Sequence, residues 1–275
     1  MSHQNTNSIT NRLPFAHRQK KPRNKGLNYV RAPAVLGGVL RDTIDCYAPH
    51  IDIMKLSGHQ ASMCSESSIL SAIESCHAAN VRVSVGNPPI DVAMTGGRAC
   101  LEKVFTTFED WSIDLIEVSV IARSVDEDDL VTAIALAGDH GIEVILEVGV
   151  DFAHTTSGDH ELFLRRRAQI ASNALTAGAK YVLLESEGLT ENRKGAPNRW
   201  DAVEAIIGHL DPASVIMEAD DQDVMSTLID IYGPKTNLMV DYSRIEKLEA
   251  ARRGFGPSQF LWGKVASLSS DGDAQ

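Results

Sequence analysis

The chain has 275 residues, 43% of them apolar and 5% aromatic, enough to bury one large core and in the size range of a parallel α/β barrel. A formal net charge of −11 argues against nucleic acid or an anionic membrane as the main partner. It leaves room for a small anionic substrate, which a few local cations or one metal ion can hold against the global field.

Residues 1–26 are polar, with Lys20, Lys21, Arg23 and Lys25 near their end, and read as a disordered tail. No charged-then-apolar leader opens the chain, and no apolar run reaches the length of a membrane span, so a cytoplasmic protein is expected. Residues 27–265 alternate apolar runs with helical stretches. The expected strands are Ala34–Leu40, Ile51–Leu56, Val81–Val85, Leu115–Val120, Val144–Val150, Tyr181–Glu185, Val215–Glu218 and Asn237–Val240. Runs such as VILEV and YVLLE suit a parallel sheet covered on both faces. Between them lie helical patterns that stop at Gly141 and Gly178. Residues 266–275 form a second loose end. Cys46, Cys64, Cys76 and Cys100 lack metal or disulfide spacing and read as buried free thiols.

Eight strands, each followed by helix, predict an α/β fold of the (β/α)8 TIM-barrel type. An open doubly wound sheet would show a glycine-rich dinucleotide turn after an early strand, and Gly37-Gly38 does not make one.

Four consecutive strands end alike, in LIEVS, VILEV, VLLES and VIMEA. They place Glu117, Glu147, Glu185 and Glu218 at the same phase, about one βα unit apart. Glutamate is a poor strand former and is costly to bury unpaired, so its convergence at the C-terminal mouth of a barrel needs a cation. Mg²⁺, which prefers carboxylate and water oxygens, is one answer. A lysine is another, and Lys55 ends the second strand. A structural charge network without chemistry is the alternative.

His59 follows in the next top loop as either a catalytic or a surface histidine. The loop DFAHTTSGDH brings Asp151, His154, Asp159 and His160, as a metal half-site or a lid. Arg193 and Lys194 follow strand six and could meet an anion. Arg252 and Arg253 end the last helix, where cations also complement the dipole.

In order and spacing, IDIMK, IDLIEVS, LEVG, AGAKYVLLE, VIMEA, Asn237-Leu238, LEAARRG and GKV resemble the phosphosulfolactate synthases over Arg31 to Val265. The resemblance implies a (β/α)8 lyase or synthase that adds sulfite to phosphoenolpyruvate with Mg²⁺, and it leans towards a homo-oligomer. Glu117, Glu147, Glu185 and Glu218 would then hold the metal. Lys55, His59, His154 and Asp151 are the catalytic candidates, and Ser119, Arg193, Lys194, Asn237, Arg252 and Arg253 the substrate-binding ones. The chain departs from the family at several points. Val150 and Asp151 stand where the family has a lysine pair, whose second member is the expected proton donor. LSGHQ and VGNPP replace glycine-rich stretches after strands two and three. Val120 and Glu187 stand in place of an aspartate and an arginine. These departures leave room for another nucleophile, for a larger acceptor in a specialised pathway, or for a non-catalytic stress-response or protein-binding barrel.

Overall fold

The computed structural model describes residue 9 and residues 18–120, 127–149, 160–191 and 195–256. Eight strands, β1 (Asn28–Arg31), β2 (Ile53–Leu56), β3 (Arg82–Val85), β4 (Leu115–Ser119), β5 (Glu143–Val148), β6 (Tyr181–Leu184), β7 (Val215–Glu218) and β8 (Asn237–Asp241), pair in parallel and in chain order. The sheet closes on itself through β1 and β8, so the fold is the (β/α)8 barrel expected from the sequence.

Side chains of a strand alternate between two faces, and in this barrel both faces are buried for different reasons. One set, including Val30, Met54, Val118, Leu146, Val182 and Leu238, packs under the helices in a single large cluster. The other set, Leu27, Tyr29, Ile53, Leu115, Ile145, Tyr181, Leu183, Ile216 and Met239, fills the barrel's own interior. Two residues beyond these interior residues, on the same face, come Arg31, Lys55, Glu117, Glu147, Glu185, Glu218 and Asp241. The phase that places Tyr29 or Leu115 in the interior therefore delivers charge to the mouth. Helices stop where the sequence suggests: Gly141 and Gly178 adopt φ of 71° and 112°, conformations that disfavour a side chain.

The first strand differs from expectation. Ala34–Leu40 is not a strand; Gly38–Tyr47 is a helix, Leu40 is buried, and Val35 and Val39 are exposed. The strand is Asn28–Arg31, whose interior positions carry a tyrosine and an arginine rather than aliphatic residues. The thiols also differ in part: all four are free, but only Cys76 is buried, and Cys46 is exposed.

The boundary of the loose N-terminal segment is corrected as well. Residues 18–26 lie against the barrel floor, the end at which the strands begin. Arg18 pairs with Glu249 at 3.1 Å, and Arg23 pairs with Asp52 at 2.9 Å while donating to the Pro49 carbonyl at 2.7 Å. Lys21 donates to the carbonyls of Ala48 and Ile51 at 3.0 and 2.6 Å. Burial pushes the Glu249 carboxyl up, but the hydrogen bond from His50 and the charges of Arg18, His50 and Arg252 hold it well below the usual carboxylate range. Its stabilising contribution is thus complete above the ordinary carboxylate pKa and is lost as the pH falls.

Truncation to residue 27 would take Arg18 from Glu249 and Arg23 from Asp52. Removing one partner of a buried pair costs about 3–5 kcal/mol, and a chain of this size loses roughly 2–4 °C per kcal/mol. A scanning-calorimetry comparison is expected to show the truncated chain melting about 10 °C lower. Equal melting temperatures would mean that these contacts contribute nothing.

Candidate active site at the barrel mouth

All four glutamates singled out in the sequence point into one end of the barrel. Each follows, two residues on, a side chain of the interior cluster: Leu115 before Glu117, Ile145 before Glu147, Leu183 before Glu185 and Ile216 before Glu218. Their environments split them into two pairs.

Glu117 is fully buried, with one partner at each carboxylate oxygen. The Lys55 ammonium lies 2.7 Å from Oε2, and the Tyr29 hydroxyl donates to Oε1 at 2.6 Å. Tyr29 has one proton to give, so the Ser84 hydroxyl, 2.6 Å away, donates to Tyr29 in turn. Gly86, just past β3, leaves the space this pair needs. A Cβ there would stand 3.3 Å from Lys55 Cε and 3.4 Å from Glu117 Oε2. Burial lowers the Lys55 pKa, but Glu117, Glu147 and Glu218 together lift it above the ordinary lysine value. Lys55 is therefore a fixed cation at neutral pH, not a base or a nucleophile.

Glu218 is the second paired carboxylate. Oε1 accepts from Arg31 Nη1 at 2.9 Å, and Oε2 accepts the Ser186 backbone N–H at 3.0 Å. Asp220, two residues on, pairs with Arg31 Nη2.

The Glu147 and Glu185 side chains make no hydrogen bond or ion pair with a described residue. Burial, followed by the negative charge of Glu117, pushes the Glu147 carboxyl up to about 8. Burial, followed by Glu218 and Glu187, pushes Glu185 up to about 7. At neutral pH these two groups hold a proton or need a cation. Mg²⁺ fits that need, because it is held by one or two carboxylates and completes its shell with water and substrate oxygens. A larger cage is not on offer: among the described residues no group of three or more His, Cys, Asp or Glu side chains is disposed to hold a metal. Of the four glutamates expected from the sequence to hold a metal, Glu117 and Glu218 are already engaged by Lys55 and Arg31, and Glu147 and Glu185 have no described partner.

Ser119 is buried at the end of β4, directly across the register from Glu147. His59 is exposed in the short helix Gly58–Met63 and is bonded to none of the glutamates. Asn237, Arg252 and Arg253 are not at the mouth. Asn237 begins β8, where it accepts the Leu27 N–H and donates to the carbonyls of Ala213 and Val215. Arg252 is fully buried on the floor, giving its protons to Asn28 Oδ1 and to the carbonyls of Pro234 and Leu27. Arg253 lies 3.5 Å from Glu249. These three hold the barrel's closed end and cannot meet a substrate at the other. Asp151, His154, Arg193 and Lys194 lie outside the described residues. The residues that sequence reasoning missed are Tyr29 and Arg31, hidden in the strand it misplaced.

A profile of the (2R)-phospho-3-sulfolactate synthase (ComA) family matches residues 16–256. Protein HEAT-STRESS-ASSOCIATED 32 of Arabidopsis thaliana is 26% identical over 259 residues, covering 86% of this chain and 88% of the relative. Among solved structures, 3-hexulose-6-phosphate synthase from Salmonella typhimurium superposes with a TM-score of 0.57 at 13% identity, over 88% of this chain and 99% of that one. An HpcH/HpaI aldolase from Desulfitobacterium hafniense gives 0.56 at 11%, over 85% and 96%. At such identities the structural matches speak for the barrel alone. No helix among the described residues is long and apolar enough to cross a membrane.

The bare carboxylates have a consequence for stability. Their folded pKa values lie above the ordinary 4.5, so the folded state binds more protons than the unfolded chain. In metal-free buffer, stability should fall as pH rises from about 4.5 towards 8. Glu147→Gln removes one of these charges and is expected to flatten that fall and to raise the melting temperature at pH 8. Identical pH–melting curves for variant and wild type would contradict the assignment.

Proposed function

Since this chain belongs to the (2R)-phospho-3-sulfolactate synthase family, we propose that it is a lyase- or synthase-type enzyme that joins a nucleophile to phosphoenolpyruvate or a similar phospho-carboxylate, with Mg²⁺, at the barrel mouth. The observation that carries this reading is the division of the carboxylates: Lys55 and Arg31 neutralise two of them, and no described residue pairs with the other two beside them.

Mg²⁺ held by Glu147 and Glu185 would supply positive charge against the substrate's oxygens. The protein's own groups do the rest. When a nucleophile attacks the methylene carbon, negative charge builds on the substrate carboxylate. Lys55, kept protonated by Glu117, offers its remaining N–H donors to that charge. The proton then needed at the neighbouring carbon is assigned to Asp151, which replaces the second lysine of the family's pair and must hold a raised pKa to act. A homo-oligomer in the cytoplasm is part of the same proposal.

A non-catalytic stress-response or protein-binding role is the second reading. It is supported by the name of the Arabidopsis relative and by the loss of the lysine pair at Val150 and Asp151.

Calorimetric titration separates the two. Phosphoenolpyruvate should bind the metal-loaded protein and bind much more weakly after chelation of the metal. Turnover with sulfite should be slow, because an aspartate standing in for the family's lysine is a poorer general acid and a well-placed one contributes roughly 10²–10⁴-fold, and Asp151→Lys should raise it. Absence of any phospho-carboxylate binding, with or without Mg²⁺, would overturn the enzyme reading. Robust sulfite turnover by the wild type would overturn only the assignment of the proton donor.

A further inference from the structure

We propose that Arg31 is the residue that selects the anion at this mouth, and that Asp220 is a built-in competitor occupying one edge of its guanidinium until a phosphate or carboxylate displaces it. The inference rests on the mouth being a phospho-carboxylate site and adds to it the residue that recognises the anion.

The two described cations of the mouth differ in depth. The Lys55 side chain is 12% exposed and sits against Glu117 in the neck; that of Arg31 is 34% exposed, at the rim. Of these two, Arg31 is by position the first that an incoming anion meets. Chemistry adds to this, because a guanidinium presents five donors in a planar fork that matches carboxylate and phosphate two bonds at a time. Among the described residues only Glu218 and Asp220 engage that fork.

Those two carboxylates are not equivalent. Glu218 belongs to β7, its side chain is 6% exposed, and both its oxygens are committed, one to Arg31 and one to the Ser186 N–H. It cannot leave without breaking a second bond, so it anchors Arg31 Nη1. Asp220 lies past the strand end, in the turn before the helix Gln222–Tyr232, and its side chain is 18% exposed. Arg31 is its one described side-chain partner. A ligand anion that takes its place at Nη2 therefore breaks one contact and frees an aspartate into solvent, while Glu218 keeps the guanidinium aimed. A structural clamp would have fixed both carboxylates. Here one is fixed and one is replaceable.

The arrangement also bears on selectivity. An anion must outcompete an aspartate already in place, so a doubly charged phosphate or a phospho-carboxylate is admitted and a singly charged carboxylate is disfavoured. Neutral molecules gain nothing at Arg31.

Three variants, Arg31→Gln, Arg31→Lys and Asp220→Asn, are titrated by calorimetry with phosphoenolpyruvate and with inorganic phosphate at fixed Mg²⁺, and their melting temperatures are recorded. Arg31→Gln is expected to weaken both ligands tenfold or more. Arg31→Lys keeps the charge beside Glu218 but loses the fork, and should weaken them severalfold with little change in melting temperature; it carries the test if Arg31→Gln does not fold. Asp220→Asn should tighten both ligands severalfold, the sign that marks a competitor. Asp220→Asn and Arg31→Gln break the same ion pair, so a purely structural role would make both bind more weakly, and that result overturns the inference. Unchanged affinity in both Arg31 variants overturns it too, while Mg²⁺-dependent binding of phosphoenolpyruvate would leave the proposed function standing. A wild type that binds neither ligand overturns both.

Discussion

The Lys55–Glu117 ion pair in the neck of the barrel sets the conditions for everything above it. Two opposite charges taken out of water lose hydration worth several kcal/mol each, and their attraction offsets this only if the remaining lone pairs are also satisfied. Tyr29 donates to Glu117 from below, Ser84 bonds Tyr29 in turn, and Gly86 leaves the room. With its lysine committed to Glu117, the mouth holds one further described cation, Arg31, and that is committed to Glu218 and Asp220. Glu147 and Glu185 then find no described cation, the described positive charge being already engaged. Their raised pKa values follow from burial and from the carboxylates around them. Among the described residues the charge balance of the mouth is incomplete, and the proposed cation and anion sites rest on that imbalance.

The opposite end of the barrel sets cations against its buried carboxylates. Glu249 and Asp52 are buried on the floor, but Arg18, Arg23, Arg252 and Arg253 surround them, and Asn28 and main-chain carbonyls take up the surplus donors. One end spends its charges on stability and the other keeps them for ligands, a division general to this fold. Arginines of the N-terminal segment complete the floor, which is why residues 18–26 belong to the folded unit despite their polar composition.

Much of the mouth was legible in the sequence because a glutamate closing an apolar strand is a local anomaly, and four at one phase make a pattern. Strand β1 was not legible. NYVR carries three polar side chains, Asn28, Tyr29 and Arg31, whose partners lie far along the chain, so nothing local marks it as a buried strand. The more apolar Ala34–Leu40 drew the assignment instead, although its valines face solvent. The misplaced substrate residues failed for a topological reason. Asn237 begins its strand, and Arg252 ends a helix running back down the barrel, so both belong to the floor by connectivity. Residue type suggested an anion site; direction of travel excluded it. The pairing of Lys55 and Arg31 with particular glutamates depends on which strands become neighbours across the barrel, and no single stretch of sequence records that.

The central claim is that Glu147 and Glu185, and not the whole glutamate ring, form the cation site. Anomalous diffraction from crystals soaked in Mn²⁺ as a stand-in for Mg²⁺ tests it most directly. The account predicts one strong peak within bonding distance of a Glu147 or a Glu185 carboxylate oxygen, with Lys55 still on Glu117 and Glu218 still on its Ser186 and Arg31 donors. A peak on Glu117 or Glu218 with those bonds broken, or no peak at the mouth at saturating Mn²⁺, would contradict it.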